Sequence, residues 1–307
     1  MFDIVGKRTW TFLLSALVVV PGLLSLLIFG LRLSVEFTGG SLLELQFHEA
    51  RGIQPAEVKA VFGRHGLTGT LVQTAGEDAV LVRAKPMDST LKKAIEEELR
   101  ERFGDFTELR FESVGPSVGR EMGRRAAYAV ALAAIAILLY ISWAFRHAPS
   151  PIRYGLCAII AMLHDVAVVV GLASIWGWLF NWEVDPLFLA ALLAVIGFSV
   201  HDSIVVLDRI RENMARHRGE PFEEIVNHSI LQTLERSVTT LLIVLFTLTA
   251  LALLGGVTIR PFVVTLLVGI ISGTYSSIFI AASLLVVWER GEVGRLFRRL
   301  RRQEAIA

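Results

Sequence analysis

The stretch GFSVHDSIVVLDRIREN, residues 197–213, places His201 and Asp202 side by side in a run otherwise apolar enough for a lipid bilayer. A carboxylate near the bilayer centre costs about 2.5 to 3.5 kcal/mol on insertion scales, so an acid kept there is a functional candidate by default. A second pair, His164 and Asp165, stands midway along the preceding apolar run in AMLHDVAVVVG. Arg236 heads a later run in LERSVTTLL, with Thr239 and Thr240 three and four residues on and therefore on its helix face. Acids and imidazoles at such depth can take up and release protons, while a guanidinium stays charged. Asp202 also needs a counter-charge, and Arg236 at comparable depth is the candidate.

Plainer readings of the same residues stay open. Asp202 could hydrogen-bond a neighbouring helix as packing glue, although Ser or Asn would do that without a titratable charge. A buried His164–Asp165 pair could lock a helix register, and Arg236 lies close enough to the interface to snorkel into water. Two His-Asp dipeptides also raise the question of a metal. Adjacent helical residues point about 100 degrees apart, so each dipeptide supplies one ligand, and no HExxH supports a site. No metal or other cofactor is expected.

The elements that must hold these residues are membrane spans. Of the 307 residues 54% are hydrophobic and 19% charged, and the mean hydropathy of +0.59 exceeds that of an ordinary soluble domain. Six stretches reach the roughly 20 residues that cross about 30 Å of hydrocarbon: Trp10 to Leu31, Ala126 to Phe145, Ile152 to Trp176, Leu187 to Leu207, Ser237 to Leu254 and Phe262 to Trp288. The first follows Lys7 and Arg8, but its apolar part outruns a signal-peptide core and no small-x-small cleavage site follows, so it is read as a retained anchor. The lone Cys157 lies in the third span and has no partner within the chain.

Lys and Arg in short loops set the orientation. Lys7/Arg8, Arg146/Arg153, the Arg209–Arg218 cluster and the Arg290–Arg302 tail fall on one side, while residues 181–186 and 255–261 carry only Arg260 on the other. Both termini are therefore expected in the cytoplasm. Arg120, Arg124 and Arg125, just outside the second span, run against the rule, which long translocated segments largely escape.

Between the first two spans the texture changes. The sequence predicts a strand over Gly40–Ala50, a helix over Pro55–Gly66, two short strands around a Gly-Glu-Asp turn within Thr70–Lys85, a helix over Asp88–Gly104 with Asp88 as N-cap, and a returning strand over Phe106–Gly115. That β-α-β-β-α-β order is the ferredoxin-like arrangement. His48 and His65 are isolated there and no phosphate-cradling loop occurs, so the insert is expected to bind or to act as a lever, not to catalyse. The expected organisation is residues 1–31, N-terminus and first span; 32–122, an extracytoplasmic ferredoxin-like domain; 123–290, the other five helices; and 291–307, a basic cytoplasmic tail. The fold class is thus an α-helical membrane protein with one α+β external domain.

Four motifs carry a resemblance. VEFTGG (Val35–Gly40) is similar to a DFTGG motif, with Glu36 where Asp is usual. VGPSVGRE (Val114–Glu121), GFSVHDSIVVLDRIREN and LERSVTT (Leu234–Thr240) are similar to the approach to the second span, the fourth span and the approach to the fifth. Together they identify a resemblance, over nearly the whole chain, to the SecF branch of the SecD/SecF protein-export family. The family usually has Asn where this chain has His201. The resemblance implies helices of RND type, a SecD-like partner, the SecYEG channel, a translocating unfolded polypeptide and membrane lipids as associates, no nucleic acid, no enzymatic activity, and a multi-pass place in the bacterial cytoplasmic (inner) membrane. It also implies drive by the proton gradient, with Asp202 and Arg236 on the proton path; His201, Asp165 and His164 are read as further members of that pathway. An RND-type lipid or small-molecule exporter half is the alternative.

Overall fold

The structure, a computed structural model, describes residues 3–48, 53–74, 78–146, 150–217, 219–256 and 259–291. Gly76 and Glu77 of the expected turn and the basic tail after Gly291 lie outside the described residues. Two compact units result, Leu33–Ala129 and the remainder, Met1–Arg32 with Val130–Ala307.

The smaller unit opens with a single helical turn, α2 (Val35–Thr38), following α1 (Arg8–Phe29) of the other unit. It continues as β1 (Gly40–Phe47), α3 (Pro55–Arg64), β2 (Leu71–Thr74), β3 (Ala79–Ala84), α4 (Ser89–Phe103) and β4 (Phe106–Val114). The strands pair antiparallel in the order β2-β3-β1-β4. Alternation along β1 sends Leu43, Leu45 and Phe47 into a core shared with Val58, Phe62, Val82, Ile95 and Leu99. Asp88 caps α4, its Oδ1 accepting from the Leu91 N–H at 2.8 Å. The one-turn α2 falls within the VEFTGG motif and was not expected. Its glycines have a physical reason: Gly39 sits at φ +76°, and a Cβ on Gly119 would come within 2.6 Å of the Gly39 nitrogen.

Among the described residues six helices are long and apolar enough to cross a membrane. They are α1 with the turn before it, α5 (Pro116–Ala144), α6 (Pro151–Phe180), α7 (Pro186–Arg216), α8 (Phe222–Leu254) and a final helix, Arg260–Glu289. The last divides into α9 (Arg260–Tyr275), a π-helical stretch (Ser276–Ala281) and α10 (Ala282–Glu289). Asp185 caps α7 by accepting from the Phe188 N–H at 2.7 Å, and Asn181, at φ 58°, closes α6 in the left-handed region.

The final helix, α7 and α6 are the most enclosed, whereas the apolar windows of α5 and α8 are only 6% buried. Close approach at the centre depends on small residues. A Cβ on Gly171 of α6 would meet Gly22 Cα of α1 at 2.7 Å, and one on Gly269 of α9 would meet Val195 Cγ2 of α7 at 2.1 Å. Polar contacts gather several helix ends: Arg8 meets Glu223 at 3.1 Å, Arg290 also reaches Glu223, and Arg153 reaches Glu289. The starts of α1, α6 and α8 and the end of α10 therefore share one end of the bundle.

Candidate functional site

Packing of α9 on α7 builds the site. The stripe Gly269, Gly273 and Ser277 faces α7, and the Ser199 Cβ would lie 3.3 Å from a Cβ on Gly273. The Ser277 hydroxyl donates to the Gly273 carbonyl at 2.7 Å and pairs with the Ser203 hydroxyl at 3.0 Å. With the backbones this near, the short side chains flanking the stripe reach acids on neighbouring helices.

Asp165 is fully buried. Its Oδ2 accepts from the Ser199 and Ser276 hydroxyls, each at 2.6 Å, and its Oδ1 accepts from the Ser272 hydroxyl at 2.6 Å. His164 Nδ1 lies 3.0 Å from the same Oδ1. Hydroxyls already fill three acceptor positions, so the network assigns the imidazole proton to Nδ1, as a fourth donor. The carboxylate thus draws donors from its own helix, from α7, from α9 and from the first residue of the π-helical stretch. Saturation of this kind is what lets a buried carboxylate persist.

Asp202 is buried at 7% exposure but differently furnished. Its Oδ2 has no hydrogen-bond partner. The groups acting on the carboxylate are the Thr274 hydroxyl of α9, His201 and Arg236. The Thr274 Oγ1 is itself buried and without a partner.

Neither Arg236 nor His201 is hydrogen-bonded or ion-paired to Asp202 among the described residues. Arg236 is exposed on α8, as are Thr239 and Thr240, and among the described residues no ion pair joins Arg236 to Asp202, so the expected counter-charge is not in contact with the acid. His201 is exposed and makes no hydrogen bond with its neighbour. His164 and Asp165 do meet, as expected of a register-locking pair. Sequence reasoning missed Ser199, Ser272, Ser276 and Thr274. Serines four apart in apolar helices, Ser199/Ser203 and Ser272/Ser276, were the available signal.

Comparison with known proteins adds a second line. Residues 94–291 match the C-terminal region of the protein export membrane proteins SecD and SecF, and residues 24–50 match the SecD/SecF GG motif. The protein translocase subunit SecF of Anaerolinea thermophila is 52% identical over 97% of this chain and 98% of its own. That of Thermobaculum terrenum is 50% identical over the same shares. Among solved structures, that of SecDF, a translocon-associated membrane protein from Thermus thermophilus, superposes with a TM-score of 0.82 at 33% identity, covering 94% of this chain and 39% of that one. This chain thus corresponds to less than half of the longer SecDF polypeptide.

Proposed function

This chain belongs to the SecD/SecF family of protein export membrane proteins, and from that premise we propose how it works. It is a SecF-like subunit of the Sec protein-export machinery. The longer SecDF relative supports a SecD-like partner, which would complete an RND-type assembly beside the SecYEG channel. In this reading the protein lies in the bacterial cytoplasmic membrane with both termini inside. The β2-β3-β1-β4 sheet and its two helices form a ferredoxin-like domain on the outer side that acts on the emerging unfolded chain.

The drive is the proton gradient, and Asp202 is the carrier. One observation carries this: of the two buried acids, Asp165 has its acceptor positions filled by three hydroxyls and an imidazole, whereas an oxygen of Asp202 is left without a partner. A saturated carboxylate has no vacancy for a proton without breaking a bond, so Asp165 and His164 serve as the fixed wall of the pathway. Asp202 can bind a proton at no such cost. Arg236 restrains it through its field, and His201 stands at the pathway's edge. Each proton falling through the potential supplies about 2.3 kcal/mol per 100 mV, enough to bias two packings of helices that differ by a few kcal/mol. Proton-gradient-dependent export in cells carrying Asp202→Asn tests the reading, and normal export by that variant would overturn it.

A further inference from the structure

We propose that a groove along α1 holds one phospholipid with a zwitterionic, amine-bearing headgroup: its phosphate on Lys7, its ammonium on Asp3 and an acyl chain laid between α1 and the final helix. The site lies wholly within the helical unit and is independent of the proton-carrier reading.

The groove follows from how α1 is held. Toward its C-terminal end α1 lies against α6, where a Cβ on Gly171 would meet Gly22 Cα at 2.7 Å and the Ser25 and Ser174 hydroxyls pair at 3.0 Å. At the other end the turn before α1 is tied to α8: the Asn227 side-chain oxygen accepts from the Ile4 N–H at 2.9 Å, and Arg8 meets Glu223 at 3.1 Å. Between these anchors α1 has no glycine, and two crevices open beside it. The first, of about 280 Å³, is bounded by Ile4, Trp10, Leu14 and Phe279, with Asp3 and Lys7 at its rim. The second, of about 300 Å³, is bounded by Leu14, Val18, Val168, Leu172, Val268 and Ile271. Leu14 borders both, so they are successive parts of one groove. The Tyr275 hydroxyl donates to the Thr11 carbonyl at 2.6 Å, a tie between α1 and the final helix where the two crevices adjoin.

The dimensions and polarity are those of a lipid from one leaflet. From Arg8 to Val18 α1 rises about 15 Å, half of a hydrocarbon core about 30 Å thick. The walls of both crevices are apolar, which admits a hydrocarbon chain and penalises a polar ligand. A partner helix, about 10 Å across, would cover the crevices and leave them unfilled, forfeiting the dispersion contacts that a chain makes inside them. Trp10, 75% exposed, stands near the rim, as indoles do at the membrane–water boundary.

The rim selects the headgroup. Lys7 is exposed and among the described residues forms no ion pair, so it is available to a phosphate. Asp3 is also exposed, with one carboxylate oxygen accepting from the Gly6 N–H at 2.7 Å. An anionic headgroup meets one attraction and one repulsion at this rim. A headgroup carrying a phosphate and an ammonium meets two attractions.

The test uses the full chain together with its SecD-like partner, reconstituted in equal parts of phosphatidylethanolamine and phosphatidylglycerol, extracted in detergent and examined by native mass spectrometry for the lipid retained. The wild-type complex should hold one more phosphatidylethanolamine than Leu14→Trp, which fills the groove where its two parts meet. Val268→Phe, which fills the second crevice alone, should lose the same lipid and serves where Leu14→Trp does not assemble. Lys7→Gln should weaken retention about fivefold, while Lys7→Arg preserves it. Asp3→Asn should abolish the preference for phosphatidylethanolamine. Retention unchanged in the two groove-filling variants means annular lipid only and overturns the site. A wild-type preference for phosphatidylglycerol overturns the headgroup assignment, and a photoreactive side chain at position 18 that captures the SecD-like partner instead of lipid overturns the occupant.

Discussion

The Ser199 hydroxyl of α7 donates to the Asp165 carboxylate of α6 at 2.6 Å. Ser199 precedes Asp202 by three residues, so the saturated acid and the unsaturated one are tied to a single turn of α7. A change in the charge of Asp202 therefore occurs against a fixed point. Different outcomes follow for the two acids and for the groups around them.

Asp202→Asn should abolish support of protein export while insertion and association with the SecD-like partner persist. Asn preserves shape and removes the proton site. Pulse-labelled export, together with co-purification of the partner, measures both halves, and export at wild-type rate sinks the idea.

Arg236→Ala should reduce export strongly and Arg236→Lys less, because a cation at that depth acts on Asp202 through space and not through a contact. Combining Arg236→Ala with Asp202→Asn should add nothing to Asp202→Asn alone. His201→Asn should export nearly normally with an unchanged pH dependence, since the imidazole makes no bond with Asp202. An altered pH profile for that variant would make His201 a relay.

Asp165→Ala should destabilise the bundle more than any single serine change, because it strands the Ser199, Ser272 and Ser276 hydroxyls together. Ser276→Ala should cost about 1 kcal/mol, in the range of hydrogen bonds between membrane helices. Unfolding of the purified protein in a detergent series measures both. Equal effects would show that the carboxylate does not organise the three hydroxyls.

Gly171→Ala should destabilise by about 1 to 3 kcal/mol, since the new methyl meets Gly22 Cα at 2.7 Å and backbone cannot swing aside. Gly197→Ala, where nothing lies within 4 Å, should be neutral or stabilising by up to about 1 kcal/mol through helix propensity. The same unfolding assay compares the pair, and the reverse order would refute the packing assignment.

Residues 33–115 should be separable as a soluble domain whose stability falls in acid through Glu98. Desolvation pushes the Glu98 carboxyl up, but hydrogen bonds from Arg64 and His65 and the charges of Arg64 and Arg102 outweigh it and hold the group below its ordinary value of 4.5. The folded value lies below the unfolded one, so the contribution is present above about pH 4.5 and is lost as pH falls through the folded value. Urea unfolding between pH 3 and 7 should show that loss in wild type and a smaller one in Glu98→Gln; identical curves would exclude it.

The sequence by itself determined the elements, because each depends on short-range patterns. Apolar runs long enough for a bilayer marked all six long helices, and Asp88 with Gly104 delimited α4 where its cap and close are found. The four strands of the small sheet were marked by period-2 runs and turn signals, whereas their order within it was not. The α2 turn escaped because four residues carry no periodicity. The candidate residues were also legible, since an acid in an apolar run is conspicuous wherever it lies. What only the tertiary structure decided was which acid is free. Asp165 and Asp202 look alike in sequence, each following a histidine in a span. The difference lies in serines 34 to 111 residues distant from Asp165 along the chain, brought in by the close approach that Gly269 and Gly273 permit between α9 and α7. Hydrogen bonds are directional and short, so their partners are set by packing to within an ångström, and no local pattern encodes that.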